Sequence, residues 1–212
     1  MTITRHTSEP ETSPSGADSP RLCVVTFGCQ MNKYDSSLVE GRFRKQGYDT
    51  TSDMEEADVV IFNTCSVRDH AEERTWSWVG ELKELKQRRP EMVIGLMGCM
   101  AQRVEKEAFK RAAHIDLVAG TRQFQHLPRM VEEVRVRRAD ASLSRKDERV
   151  AFTDMAAEVP VDRTGEVWTG GIQAFLAVMR GCALSCTYCV VPLTRGGVQS
   201  RSIAELVQEA RW

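Results

Sequence analysis

Cys182, Cys186 and Cys189 stand in a C-x3-C-x2-C pattern on one short stretch of chain, close enough for their thiolates to share a metal. Soft thiolates select zinc or an iron–sulfur cluster. Structural zinc takes four ligands in a closed tetrahedron. Only three are gathered here, and His6, His70, His114 and His126 all lie far along the chain. Three thiolates on a four-iron cluster leave one iron without a protein ligand. That vacancy suits a cofactor that chelates through an amine and a carboxylate. The plainer alternative is a zinc loop or three buried thiols.

A second set, Cys29, Cys65 and Cys99, is spread over the first half of the chain at intervals of 36 and 34 residues. Each follows a short apolar run, in Phe27-Gly28-Cys29, Asn63-Thr64-Cys65 and Met97-Gly98-Cys99. The carboxyl ends of parallel strands share one sheet edge, where open α/β folds bind ligands. Three cysteines at successive strand–helix turns would meet there, and Gly28 and Gly98 would let backbone approach a bulky group. The competing reading is that each is a small buried residue, the common fate of a free cysteine. Cys23, inside the first run, has no partner in the pattern and reads as core.

The elements that must position these residues follow from periodicity. Apolar runs at Leu22–Phe27, Val59–Asn63, Met92–Met97 and Ile115–Ala119 predict short buried strands. Polar stretches of helical period follow them at Asp35–Gln46, Val67–Arg89, Gln102–Ala112 and Phe124–Arg137. Gly47 and Pro90 sit where helix stops belong. The alternation implies an α/β fold, a parallel sheet in three layers, over residues 21–137. Residues 1–20, rich in Ser, Thr, Glu and Pro, read as a disordered tail. Residues 138–170 read as a linker with short local structure near Val150–Met155. A second domain begins at 171 with a strand at Ile172–Met179 and the cysteine loop. A capping box at Ser202-Ile203-Ala204-Glu205 then opens a helix expected to reach Trp212. One strand–loop–helix unit is too little to close a core, so this domain reads as incomplete.

The loop Cys182–Cys189, with Tyr188 before its last cysteine, resembles the cluster loop of the radical S-adenosylmethionine superfamily. The longer stretches are more specific. Thr26-Phe27-Gly28-Cys29-Gln30-Met31-Asn32, Asn63-Thr64-Cys65-Ser66-Val67-Arg68 and Gly98-Cys99-Met100-Ala101-Gln102-Arg103 resemble the amino-terminal domain of the methylthiotransferases. Met179-Arg180-Gly181-Cys182 through Cys189-Val190-Val191-Pro192-Leu193-Thr194-Arg195-Gly196 is similar to the start of their radical (βα) barrel. The Gly-Cys-Gln-Met-Asn and Asn-Thr-Cys-Ser-Val-Arg forms resemble the branch acting on tRNA, whereas the branch modifying a ribosomal protein usually shows Gly-Cys-Pro-Lys-Asn at the first site. Leu193 stands where an aromatic is common, and Gly197, Val198 and Gln199 where charged residues are usual.

The resemblance implies methylthiolation of C2 of an N6-isopentenylated adenosine beside the anticodon. It implies two 4Fe–4S clusters, an auxiliary one on Cys29, Cys65 and Cys99 and one binding S-adenosylmethionine on Cys182, Cys186 and Cys189. Tyr188 either stacks near the cofactor adenine or packs within its loop. The implied partners are a tRNA anticodon stem-loop and a reducing donor of flavodoxin or ferredoxin type. Other readings are a methylthiotransferase for another tRNA base or a ribosomal protein, an electron-transfer module with two clusters, and an inactive fragment.

Charge does not point to nucleic acid, since 29 Lys and Arg against 30 Asp and Glu give a net charge of −1. No apolar run nears the roughly 20 residues of a membrane span, and no signal peptide is evident. Seven cysteines in a chain read as cytoplasmic point to metal or catalysis rather than disulfides. Lys83, Lys86, Arg88 and Arg89 read as a solvated helix end, as do Arg135, Arg137 and Arg138. Trp76 and Trp78, two apart, should face different ways.

Overall fold

A computed structural model describes residues 19–67, 69–156 and 174–211. Six parallel strands form the main sheet, in the order β2-β1-β3-β4-β5-β6. They are β1 (Arg21–Phe27), β2 (Asp49–Thr50), β3 (Val59–Thr64), β4 (Val93–Gly98), β5 (Leu117–Ala119) and β6 (Val150–Phe152). Between them run α1 (Gln30–Lys45), α2 (Asp69–Arg88), α3 (Cys99–Val104), α4 (Ala108–Arg111) and α5 (Leu127–Ala139).

The two-residue period of a strand sorts its side chains into two cores. Val59, Ile61, Val93 and Met97 point to one side, against Tyr34, Leu38, Val39 and Phe43 of α1 and Met130, Val131 and Val134 of α5. Val60, Phe62, Ile94 and Leu96 point to the other, against Val79, Leu82 and Leu85 of α2 and Met100 and Ala101 of α3. Each fully buried side chain of this kind contributes about 1.5–3 kcal/mol. The expected three-layer α/β architecture is what the chain adopts.

Several elements differ from expectation. Helix α1 starts at Gln30, five residues before the expected start at Asp35, with Cys29 as its N-cap. The single helix expected at Gln102–Ala112 instead starts at Cys99 and breaks at Glu105, whose φ is +46°. A 3-10 turn at Glu105–Glu107 then leads into α4. Strand β2 is two residues long and shows no period in the sequence. Val150–Phe152, expected as local structure in a linker, is the outermost strand of the sheet, with Val150 opposite Leu117.

Nor is the basic end of α2 a solvated face. Lys86 is buried and donates to Asp116 Oδ2 at 2.9 Å and to Pro90 O at 3.0 Å. Asp116, fully buried, also forms ion pairs with Arg138 and Arg145, each at 2.5 Å, and accepts from Ile94 N at 2.7 Å. Lys83 and Arg88 are exposed as expected. Trp76 and Trp78 pack against the same core, Trp76 under Arg111 and Trp78 edge-on to Phe27 at 5.6 Å.

After residue 174 the chain forms β7 (Met179–Arg180), α6 (Val191–Arg195), β8 (Gln199–Ser200) and α7 (Ile203–Ala210). The strand expected at Ile172–Met179 shrinks to β7: residues 174–178 are irregular, and 172–173 lie outside the described residues. Its partner β8 is antiparallel, with Arg180 opposite Gln199. The expected capping box holds, as Glu205 N donates to Ser202 Oγ at 3.3 Å and Ser202 N to Glu205 Oε2 at 3.0 Å. Its helix ends at Ala210; Trp212, like the tail at 1–18, Arg68 and linker residues 157–170, lies outside the described residues. No helix among the described residues is long and apolar enough to cross a membrane.

Candidate metal centre

β1, β3 and β4 pair in parallel, with Phe27 opposite Thr64 and Thr64 opposite Gly98. The residue after each of these positions is Gly28, Cys65 or Cys99, so the register brings the turns to one edge. Cys29 is the N-cap of α1 and Cys99 the first residue of α3, so both stand at helix starts on this edge.

Two asparagines lock this edge. Asn32 Nδ2 donates to Asn63 Oδ1 at 2.8 Å, and Asn63 Nδ2 donates to Asn32 O at 2.8 Å and Ser36 Oγ at 2.9 Å. Asn32 Oδ1 accepts from both the backbone N–H and the thiol of Cys29, each at 3.3 Å. On the far side Gly98 has φ +93°, and a Cβ there would lie 2.4 Å from Asn63 Oδ1 and 2.9 Å from Thr64 O. Only glycine passes this point easily. Around Cys65, Val67 N donates to its sulfur at 3.3 Å, while Arg103 Nε reaches Ser66 Oγ at 2.9 Å.

Cys29 and Cys65 are hydrogen-bonded to each other, and Cys65 in turn feels the charge of Cys99. The Cys65 bond is the chief reason the Cys29 thiol is lowered to about 5; burial opposes this, and Asn32, Met31 and Arg195 assist. Cys65 is pushed up, first by that same bond and then by burial. Cys23, by contrast, is raised to about 12, mainly by burial, and lies 2% exposed in the core.

The segment after residue 174 packs onto the same edge. Asp35, 1% exposed on α1, pairs with Arg180 of β7 at 2.6 Å and with Arg195 of α6 at 3.2 Å. The Arg180 guanidinium lies over the rings of Tyr34, at 5.6 Å, and Phe124, at 5.0 Å. Thr121 Oγ1 donates to Thr194 O at 2.5 Å, and Arg122 Nη2 to Gly197 O at 3.3 Å. Arg195 is buried beside Cys99 and Cys29; burial disfavours its charge, but Asp35 and the two cysteines outweigh burial and raise its pKa.

Cys182, Cys186 and Cys189 occupy the loop between β7 and α6, with Cys186 exposed and the other two half-buried. Cys182 N donates to Gly196 O at 3.0 Å and Cys189 N to Cys186 O at 3.0 Å, which curls the loop back on itself. Tyr188 is 91% exposed, its ring free of the loop. Among the described residues no three His, Cys, Asp or Glu side chains are grouped as ligands of one metal ion. A single tetrahedral zinc would draw its thiolates to about 3.8 Å from one another. A cluster places each thiolate on a different iron and holds them further apart.

Arg195, Asp35, Asn32 and Asn63 are the site residues that spacing alone did not pick out. The signal for the asparagines was present: they stand three residues after Cys29 and two before Cys65.

Residues 21–120 match the family described as "Uncharacterized protein family UPF0004", a span that includes Cys29, Cys65 and Cys99. The chain is 38% identical over 193 residues to the tRNA-2-methylthio-N(6)-dimethylallyladenosine synthase of Dictyoglomus thermophilum, covering 91% of this chain and 42% of that protein. It is 42% identical over 193 residues to the synthase of the same name from Rhodopirellula baltica, covering 89% and 40%. With that of Agrobacterium fabrum it shares 38% over 204 residues, covering 92% and 43%. The chain thus spans about two fifths of the length of these curated relatives.

Proposed function

Because the chain belongs to the family of the tRNA-2-methylthio-N(6)-dimethylallyladenosine synthases and carries a UPF0004 domain at residues 21–120, we propose that it serves methylthiolation of C2 of N6-isopentenyladenosine next to a tRNA anticodon. In this reading Cys29, Cys65 and Cys99 hold an auxiliary 4Fe–4S cluster. Cys182, Cys186 and Cys189 hold a second one, whose open iron binds S-adenosylmethionine. The sheet domain, β1 through β6, is the auxiliary-cluster domain in this reading, and residues from 171 belong to the radical domain.

The observation that supports the reading is the register that brings three strand-end cysteines to one sheet edge, beside a buried arginine from the second cysteine segment. When bound, the two clusters and S-adenosylmethionine would supply one-electron chemistry, a methyl group and a sulfur source. The chain's own residues do the positioning. Asn32 and Asn63 orient Cys29, and the Gly98 turn delivers Cys99. The bond from Cys182 N to Gly196 O ties the second loop to the segment that carries Arg195. The exposed ring of Tyr188 offers a face on which the cofactor adenine can stack. The anticodon stem-loop is the partner in this reading. The electron comes from a flavodoxin- or ferredoxin-type donor, in a reducing cytoplasm.

Anaerobic reconstitution with iron and sulfide tests the proposal. The expected result is about eight irons per chain, four for each cluster. Replacing Cys182, Cys186 and Cys189 together with alanine should halve this and abolish S-adenosylmethionine binding. Uptake of zinc in place of iron, or iron content unmoved by the triple replacement, overturns it.

A further inference from the structure

Arg195 is 8% exposed, and its Nη1 is committed to Asp35 at 3.2 Å. Its Nη2 is buried and has no hydrogen-bond partner among the described residues. Besides Asp35, this guanidinium faces the sulfurs of Cys99, with which it hydrogen-bonds, and of Cys29. A buried donor without an acceptor is unfavourable, and an anion seated among the cysteines would complete the arrangement. Arg195 also comes from the opposite half of the chain, on the helix that follows the Cys182–Cys189 loop.

We infer that Arg195 is a positioning residue for the first cysteine site: its Nη2–H donates a charge-assisted hydrogen bond to a sulfur of the group bound on Cys29, Cys65 and Cys99, and Asp35 holds the guanidinium in place. This rests on the proposal that the group is an iron–sulfur cluster. Hydrogen bonds to cluster sulfurs and net charge set how readily a cluster is reduced. A cation donating to sulfur favours the reduced, more negative state. The first site is therefore finished by the second segment, and its redox poise depends on that segment being docked.

The 212-residue chain with Cys182, Cys186 and Cys189 changed to alanine isolates the first site. Reconstituted anaerobically, it is titrated by redox potentiometry with electron paramagnetic resonance detection. Arg195→Gln should make reduction harder. At the parent's midpoint the ratio of reduced to oxidised cluster should fall about tenfold, which is about 59 mV for one electron. Arg195→Lys keeps the charge and the Asp35 partner and should recover part of the shift. An Arg195→Gln cluster with the parent's midpoint overturns the inference. If Arg195→Gln does not fold, Arg195→Lys decides instead: it keeps the charge and the Asp35 partner but lacks the planar Nη2–H donor, so its midpoint should lie below the parent's, and an unchanged midpoint overturns the inference. Failure of the parent to form any cluster would refute the underlying proposal rather than the role of Arg195.

Discussion

Asp35 and Arg195 stand 160 residues apart in sequence and 3.2 Å apart in the fold, both almost wholly shielded from solvent. With Arg180 on its other oxygen, Asp35 is one anion clamping two cations from the segment that carries the second cysteine set. Removing one partner of a buried pair costs about 3–5 kcal/mol, because the other charge is left without compensation. Asp35→Ala should therefore release residues 174–211 before the sheet itself unfolds. Limited proteolysis checks this: cuts should appear in that segment while residues 21–156 stay protected. Equal protection of both parts would show that the clamp does not hold them together.

Asp116 plays the matching role inside the sheet domain. Burial alone would raise its carboxyl, but Lys86, Arg138 and Arg145 outweigh burial and hold it below 3.8. Asp116→Asn should cost about 3–5 kcal/mol in urea unfolding. A carboxyl depressed in the folded state stabilises at pH above its unfolded value, and the benefit is lost as pH falls through the folded one. The difference between parent and Asp116→Asn should thus be level above about pH 5 and shrink below 3.8. A difference constant down to pH 2 would contradict this origin.

Two glycines with positive φ separate backbone strain from crowding. Gly47, at +83°, has open space where a Cβ would go, whereas at Gly98, at +93°, that atom would strike Asn63 and Thr64. Gly47→Ala should cost about 1–2 kcal/mol for the left-handed backbone alone. Gly98→Ala should cost more and displace Cys99, lowering iron retention in the triple-alanine background. Thermal melts of the two variants, with iron assays, make the comparison; similar losses for both would remove the crowding argument.

Asn63 is buried and makes three side-chain hydrogen bonds within the cysteine edge. Asn63→Ala orphans the Asn32 amide, and each such group costs about 1–3 kcal/mol. Its effect should reach Cys29 through Asn32, so alkylation of the metal-free protein at Cys29 should change in rate while alkylation at Cys182 does not. An unchanged Cys29 rate would mean that Asn32 holds its place unaided.

The sheet domain was legible because fully buried strands such as Val59–Thr64 and Val93–Gly98 announce themselves as apolar runs. The strand-end placement of Cys29, Cys65 and Cys99 followed from the same runs. What sequence hid were features without a period. Asp49–Thr50 and Val150–Phe152 are too short to show alternation. The break at Glu105 depends on one dihedral angle. Lys86 looks like any lysine at a helix end until Asp116, 30 residues away, is brought beneath it. Arg195 was visible as part of a motif, but that it reaches the other cysteine set depends on how the two halves dock, which no local pattern encodes.

The strand order has a bearing on how the protein is made. From β1 through β3 to β6 each strand is laid beside one already in place, with only the short β2 on the other flank. A chain emerging from the ribosome could build this sheet outward in the order of synthesis, as domains commonly fold amino-terminal first. Asp35 is among the first residues out, yet its two cationic partners emerge 145 and 160 residues later. Until they arrive, that carboxylate must keep its water, and the edge bearing Cys29, Cys65 and Cys99 stays uncovered. If the first cysteine set holds a cluster as proposed, the interval before Arg195 arrives is the one in which that edge is open for loading.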